Sequence, residues 1–149
     1  MAHIVFYEKP GCGGNARQKI LLTEAGHTLD VRNLLAEPWT AERLRTYFAD
    51  LPVPRWFNMA APRVKSGDVQ PAQVTADEAL AMMLHEPLLI RRPLMSETQA
   101  DGRASHMVGF ETDAVDAWVG LTPAASTGPR SLEGCAAAHP AATCHTEKT

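Results

Sequence analysis

The stretch His3-Ile4-Val5-Phe6-Tyr7 constrains this chain more than any other. It is short, β-branched and aromatic, and Lys9-Pro10-Gly11 follows it, so it reads as a buried strand that stops at a turn. Cys12 comes directly after that turn. From Asn15 onward, Ala16, Ile20, Leu21 and Ala25 fall at helical spacing until Gly26 supplies a stop, and Thr28 to Val31 resumes an extended pattern. The first third of the chain is therefore expected to be β-α-β. The chain has 149 residues, 45% of them apolar, which suits a single domain with a substantial core.

Pro38-Trp39-Thr40 opens a second helix whose apolar face is Leu44, Tyr47, Phe48 and Leu51, with Thr40 as cap and Trp39 placed to staple against Leu44. Thr75-Ala76-Asp77-Glu78 is a capping box that starts a third helix, expected to run to about His85 and to break before Pro87. Leu88-Leu89-Ile90 reads as a buried strand with Arg91-Arg92-Pro93 as its polar exit. His106 to Phe110 reads as a further strand beyond the Asp101-Gly102 turn. Thr112-Asp113 is placed to cap a last helix carrying Val115, Trp118 and Val119. The element order describes an α/β layer protein over residues 1–121. Residues 122–149, mostly Ala, Pro, Thr, Ser and Gly, read as a disordered tail because they hold too little apolar surface to offset the entropy of ordering.

A formal charge of −3, with both signs interspersed, gives no electrostatic reason to expect nucleic acid or an anionic membrane as a partner. No signal-like segment or long uninterrupted apolar run is present, so a cytoplasmic protein is expected. The cysteines, at 12, 135 and 144, are odd in number and widely spaced, which fits a reducing compartment better than a disulfide framework.

Cys12 stands out because a strand–turn–helix junction gathers unpaired amides and the positive end of the helix dipole, which together favour a thiolate. The plain alternative is an inert buried cysteine capping the helix. Lys9 and Arg17 could add positive charge, although Arg17 lies about a turn along the helix. Cys12-Gly13-Gly14-Asn15 lacks the second cysteine of a dithiol motif, so redox cycling needs an external thiol such as glutathione, a partner protein, or another cysteine of the chain. Gly13 and Gly14 admit a substrate close to the backbone amides; Asn15 either caps the helix, the favoured reading, or bonds the sulfur.

Ile4-Val5-Phe6-Tyr7, Lys9-Pro10-Gly11-Cys12, Ala16-Arg17-Gln18-Lys19 and Glu86-Pro87-Leu88-Leu89-Ile90-Arg91-Arg92-Pro93 together resemble the arsenate reductase and Spx family over roughly residues 3–120. Tyr7 to Cys12, Trp56-Phe57-Asn58 and Val64-Lys65-Ser66-Gly67 are most similar to its nitrogenase-associated branch. The resemblance implies a thioredoxin-like fold with a helical insertion. It implies Cys12 as nucleophile, Arg92 as the residue contacting a bound anion, and Arg92-Pro93 as a cis peptide facing the cysteine loop. Glutathione as co-substrate, and glutaredoxin or a nitrogen-fixation protein as partner, are expectations of the same kind, with no cofactor held by the protein itself.

The chain also departs from that family, whose arsenate reductases surround the oxyanion with three arginines. Only Arg92 aligns; the region of the first holds Asn58-Met59-Ala60 and that of the third Val108-Gly109-Phe110. Losing charge-assisted donors weakens transition-state binding, which argues against arsenate turnover. Arg55 could substitute, but reads more simply as an exposed helix-end arginine. Cys135, His139, Cys144 and His145 match no zinc-ligand spacing, so no metal is expected; Cys135 and Cys144 read first as incidental tail cysteines, with the resolution of an oxidised Cys12 by one of them as the alternative. Two readings stand: a monothiol redox protein, and a non-catalytic interaction or redox-sensing protein linked to nitrogen fixation.

Overall fold

The computed structural model describes residues 2–122. The expectations placed on the tail, including Cys135, His139, Cys144 and His145, lie outside the described residues. Strand β1 (His3–Glu8) leads through a turn to helix α1 (Gly13–Glu24) and strand β2 (Thr28–Asn33). Helices α2 (Ala41–Phe48), α3 (Pro62–Lys65) and α4 (Ala76–His85) follow, with 3-10 turns at Val53–Trp56, Pro71–Gln73 and Pro87–Leu89. Strands β3 (Leu94–Thr98) and β4 (Ala104–Val108) then form a hairpin, and helix α5 (Thr112–Val119) closes the fold.

The sheet order is β2-β1-β3-β4, with β1 parallel to β2 and antiparallel to β3. Alternation along β1 divides the core. Ile4 and Phe6 join Met95, Leu22 of α1 and Val115 of α5 on one face. Tyr7 joins Leu94, Val108 and the apolar sides of α2 and α4 on the other. The result is helix–sheet–helix layering, with the helical segment between β2 and β3 as the expected insertion. Each buried Phe or Leu stabilises this arrangement by about 1.5–3 kcal/mol relative to exposure.

The capping signals of α2 and α4 read correctly. Thr40 Oγ1 accepts the Arg43 amide at 3.1 Å to start α2. At α4, Thr75 Oγ1 accepts the Glu78 amide at 3.1 Å while Glu78 Oε1 accepts the Thr75 amide at 2.8 Å. Trp39 packs into the same core as Leu44, where its ring lies 4.8 Å from Tyr7 and 5.8 Å from Tyr47, and its indole N–H donates to the Leu34 carbonyl.

Other expectations are corrected. Helix α1 buries Gly14, Asn15, Gln18 and Leu22, whereas Ile20 is 54% exposed. The apolar spacing pointed to the wrong side because two buried positions are amides that satisfy each other. Leu88-Leu89-Ile90 is no strand of the sheet: Pro87 starts a 3-10 turn, and Ile90 makes only an isolated bridge to Phe57. The strand is the next segment, Leu94–Thr98, so Arg91-Arg92-Pro93 is an entrance and not an exit. Thr112 is buried as the first residue of α5, and Glu111 occupies the cap position without a side-chain cap bond.

Candidate functional site

Register assembles the site. Tyr7, near the end of β1, pairs with Leu94, the first residue of β3. That pairing puts the Lys9–Cys12 turn, which leaves β1, beside Arg92-Pro93, which enters β3. Gly11 takes φ 84°, a conformation glycine adopts at little cost, and the Cys12 amide donates to the Lys9 carbonyl at 3.1 Å to close the turn. Cys12 is the N-cap of α1, and its carbonyl accepts the Ala16 amide at 3.0 Å.

Asn15 does not cap the helix. Its Oδ1 accepts the Lys9 amide at 3.1 Å, and its Nδ2 donates to Gln18 Oε1 at 2.7 Å. Both side chains are buried, so the pair pins the cysteine turn onto α1 from inside the fold. Gln18 is the residue sequence reasoning passed over. Its signal was the amide pair three residues apart, one helical turn, directly behind the cysteine.

Across the turn, Arg92 is buried and Nη2 lies 3.8 Å from Cys12 Sγ, within donor range for sulfur. The Arg92–Pro93 peptide is cis, and the Pro93 carbonyl accepts the Gly109 amide at 2.9 Å. Cys12 itself is 4% exposed. Gly13 and Gly14 form the first turn of α1, where unpaired amides and the dipole favour negative charge. Arg17 is exposed, and Lys19 pairs with Glu8 at 2.6 Å. The structure thus brings Cys12, Gly13, Gly14, Asn15, Arg92 and Pro93 into one locality.

The two regions in which the resemblance implied further arginines are also defined. Asn58 is buried, and its Nδ2 donates to the Leu88 carbonyl at 3.2 Å while its Oδ1 accepts the Ala60 amide at 3.0 Å. Gly109 has φ 77° and lies under the Arg91 guanidinium. Arg55 is half exposed and pairs with Glu111 at 3.4 Å. No group of three His, Cys, Asp or Glu side chains among the described residues could hold a metal ion, and no described helix is long and apolar enough to cross a membrane.

No family model matches the chain. Over 135 residues it is 47% identical to the "Uncharacterized 15.7 kDa protein in draG 3′ region" of Rhodospirillum rubrum, spanning 91% of this chain and 89% of that protein. The chain belongs to the family of this draG-region protein. Solved structures extend the likeness of this chain at the level of fold. The YffB (PA3664) protein is 24% identical with a TM-score of 0.60, covering 80% of this chain and 99% of its own. A structure titled as a possible arsenate reductase from Streptococcus mutans is 24% identical with a TM-score of 0.61, over 78% and 99% of the two chains. The arsenate reductase from Vibrio cholerae is 24% identical with a TM-score of 0.56, over 70% and 89%. This chain thus has the thioredoxin-like fold of the arsenate reductase structures.

Proposed function

We propose that this protein is a monothiol redox protein in which Cys12 exchanges with glutathione mixed disulfides. The observation that carries the reading is the 3.8 Å approach of Arg92 Nη2 to Cys12 Sγ at the N-terminus of α1. The guanidinium and the first-turn amides are hydrogen-bond donors placed to contact the sulfur, which as a thiolate is the attacking form in thiol–disulfide exchange. The Cys12 thiolate attacks the glutathionyl sulfur of R–S–S–G, forming Cys12–S–S–G and releasing the thiolate of R. A second glutathione thiolate attacks the adduct, releasing oxidised glutathione and restoring Cys12.

Arg92 holds the thiolate and then a carboxylate of the glutathionyl group. Gly13 and Gly14 give it room near the backbone, and Pro93 forms the facing wall. Glutaredoxin serves as an alternative electron donor. Arsenate is a poor substrate, because Asn58-Met59-Ala60 and Val108-Gly109-Phe110, the regions where the resemblance implies two further arginines, hold none. The draG-region relative, from a nitrogen-fixation gene neighbourhood, supports a role beside nitrogen fixation; a cytoplasmic location is part of the same proposal.

The near-complete burial of Cys12 works against turnover and favours a second reading, a non-catalytic interaction or redox-sensing protein that binds a nitrogen-fixation protein. One experiment separates the two. Full-length protein is incubated with the mixed disulfide of glutathione and 2-mercaptoethanol, then with reduced glutathione, and followed by intact mass. The enzyme reading predicts a Cys12–glutathione adduct that forms and discharges repeatedly, is lost in Cys12→Ser, and is retained in a Cys135→Ser/Cys144→Ser variant. A stable adduct without turnover supports the sensor, and robust reduction of arsenate with glutathione and glutaredoxin would show that an oxyanion is turned over without arginines in Asn58-Met59-Ala60 and Val108-Gly109-Phe110, against the proposal.

A further inference from the structure

Arg91 serves a different part of the molecule from Arg92. A cavity of about 400 Å³ opens beside the edge strand β4, between the C-terminal end of α2 and the start of α5, and neither Cys12 nor Arg92 lines it. Tyr47, Phe48 and Val108 supply apolar wall, and Arg55, Arg91 and Glu111 converge on the polar side. The His106 ring, also lining the cavity, stands edge-on to Tyr47 with centroids 4.7 Å apart, so one wall is an aromatic pair. The volume is that of a small-molecule site, and the mixture of apolar wall with a few convergent polar groups is the composition such sites have.

The charges in the cavity suggest what it binds. The Arg91 side chain is only 11% exposed, and Nη1 donates to the Arg55 carbonyl at 3.2 Å. Its guanidinium lies across Gly109, where an added Cβ would fall 2.5 Å from Arg91 Nε, so the missing side chain at 109 makes room for it. Glu111 Oε2 faces both cations, 3.4 Å from Arg55 Nη2 and 3.9 Å from Arg91 Nη2. Both distances exceed the roughly 2.7–2.9 Å of a good charge-assisted bond. The Glu111 backbone is fixed, its carbonyl accepting the Val115 amide at 2.9 Å as α5 begins, which limits how far the side chain can advance. A carboxylate from solution has no such tether. Asp50 adds a further negative charge to the lining, which disfavours a dianion.

We propose that this cavity binds a small aromatic monocarboxylate, with its ring against the Tyr47–His106 wall and its carboxylate between Arg55 and Arg91 in place of Glu111. The site goes beyond the proposed thiol chemistry and does not depend on it.

The test is a titration of the full-length protein with benzoate, followed by backbone amide chemical shifts, with benzamide as the neutral control. Saturable shifts are expected at Tyr47, His106, Val108 and Glu111, equally in Cys12→Ser, with benzamide far weaker. Removing the competing carboxylate in Glu111→Gln should tighten benzoate about threefold and Arg55→Gln should weaken it by a similar factor, the scale of a half-exposed ion pair. Both substitutions are at half-exposed positions, so each variant is compared at verified native fold by its own amide spectrum. Benzamide binding as well as benzoate, no gain in Glu111→Gln, or shifts confined to other surfaces would overturn the proposal.

Discussion

Arg92 Nη2 and Cys12 Sγ meet at 3.8 Å although eighty residues separate them in the chain. The contact exists because β1 and β3 are antiparallel neighbours, so the end of one strand and the entrance of the other fall side by side. The buried amides of Asn15 and Gln18 brace the cysteine side of this pair.

Asn15 is the first such support. Replacing it with Ala removes the acceptor for the Lys9 amide and leaves Gln18 Oε1 without the donor it receives from Asn15 Nδ2. A buried polar group losing its partner costs about 1–3 kcal/mol, so Asn15→Ala should lower stability by that amount in urea unfolding. A loss too small to resolve would show that the amide pair does not pin the turn.

The corrected face of α1 gives a second test. Leu22 is fully buried and Ile20 is exposed. Leu22→Ala should cost about 2–5 kcal/mol by leaving a cavity, whereas Ile20→Gln should stay within about 0.5 kcal/mol of the parent. The reverse order in denaturant midpoints would restore the face that apolar spacing alone had suggested.

His106 sets a pH dependence. Burial against the Tyr47 ring holds its imidazole below the ordinary value of 6.5. Between the folded value and 6.5 the unfolded chain binds more protons at this residue, so its contribution to stability is complete above 6.5 and is lost as the pH falls. His106→Phe keeps an aromatic ring and removes the titration, so its melting temperature should fall less than the parent's on acidification from about pH 7 to pH 5. An identical slope in both proteins would assign the acid sensitivity elsewhere.

Much of this architecture was legible in the residues. The β1 strand, the Pro10-Gly11 turn before Cys12 and the Thr75/Glu78 capping box are local signals whose chemistry acts within a few residues, and each formed as read. The errors fell where tertiary context decides. Leu88-Leu89-Ile90 has the composition of a buried strand, but it is buried in the helical insertion, where the Asn58 amide donates to the Leu89 carbonyl and the Arg91 amide to the Trp56 carbonyl. In β3, Leu94 and Met95 are both buried because the strand is central and serves both faces of the sheet, which erases the alternation that would reveal it. The Arg91-Arg92 pair carried no local mark of its fate. One guanidinium meets Cys12, which follows β1, and the other crosses Gly109, which follows β4, the two strands that flank β3.

The central claim is that Arg92 supports the Cys12 thiolate, and the most direct measurement is the rate of Cys12 alkylation by iodoacetamide at neutral pH, in a Cys135→Ser/Cys144→Ser background with and without Arg92→Gln. Iodoacetamide is uncharged, so the guanidinium can influence the rate through the sulfur and not by attracting the reagent. Loss of a hydrogen bond from a charged group is worth about 1.5–3 kcal/mol, which predicts a fall of roughly tenfold or more in the folded protein and none in denaturant. An Arg92→Gln protein that keeps its fold and reacts as fast as the parent, or faster, would contradict the account.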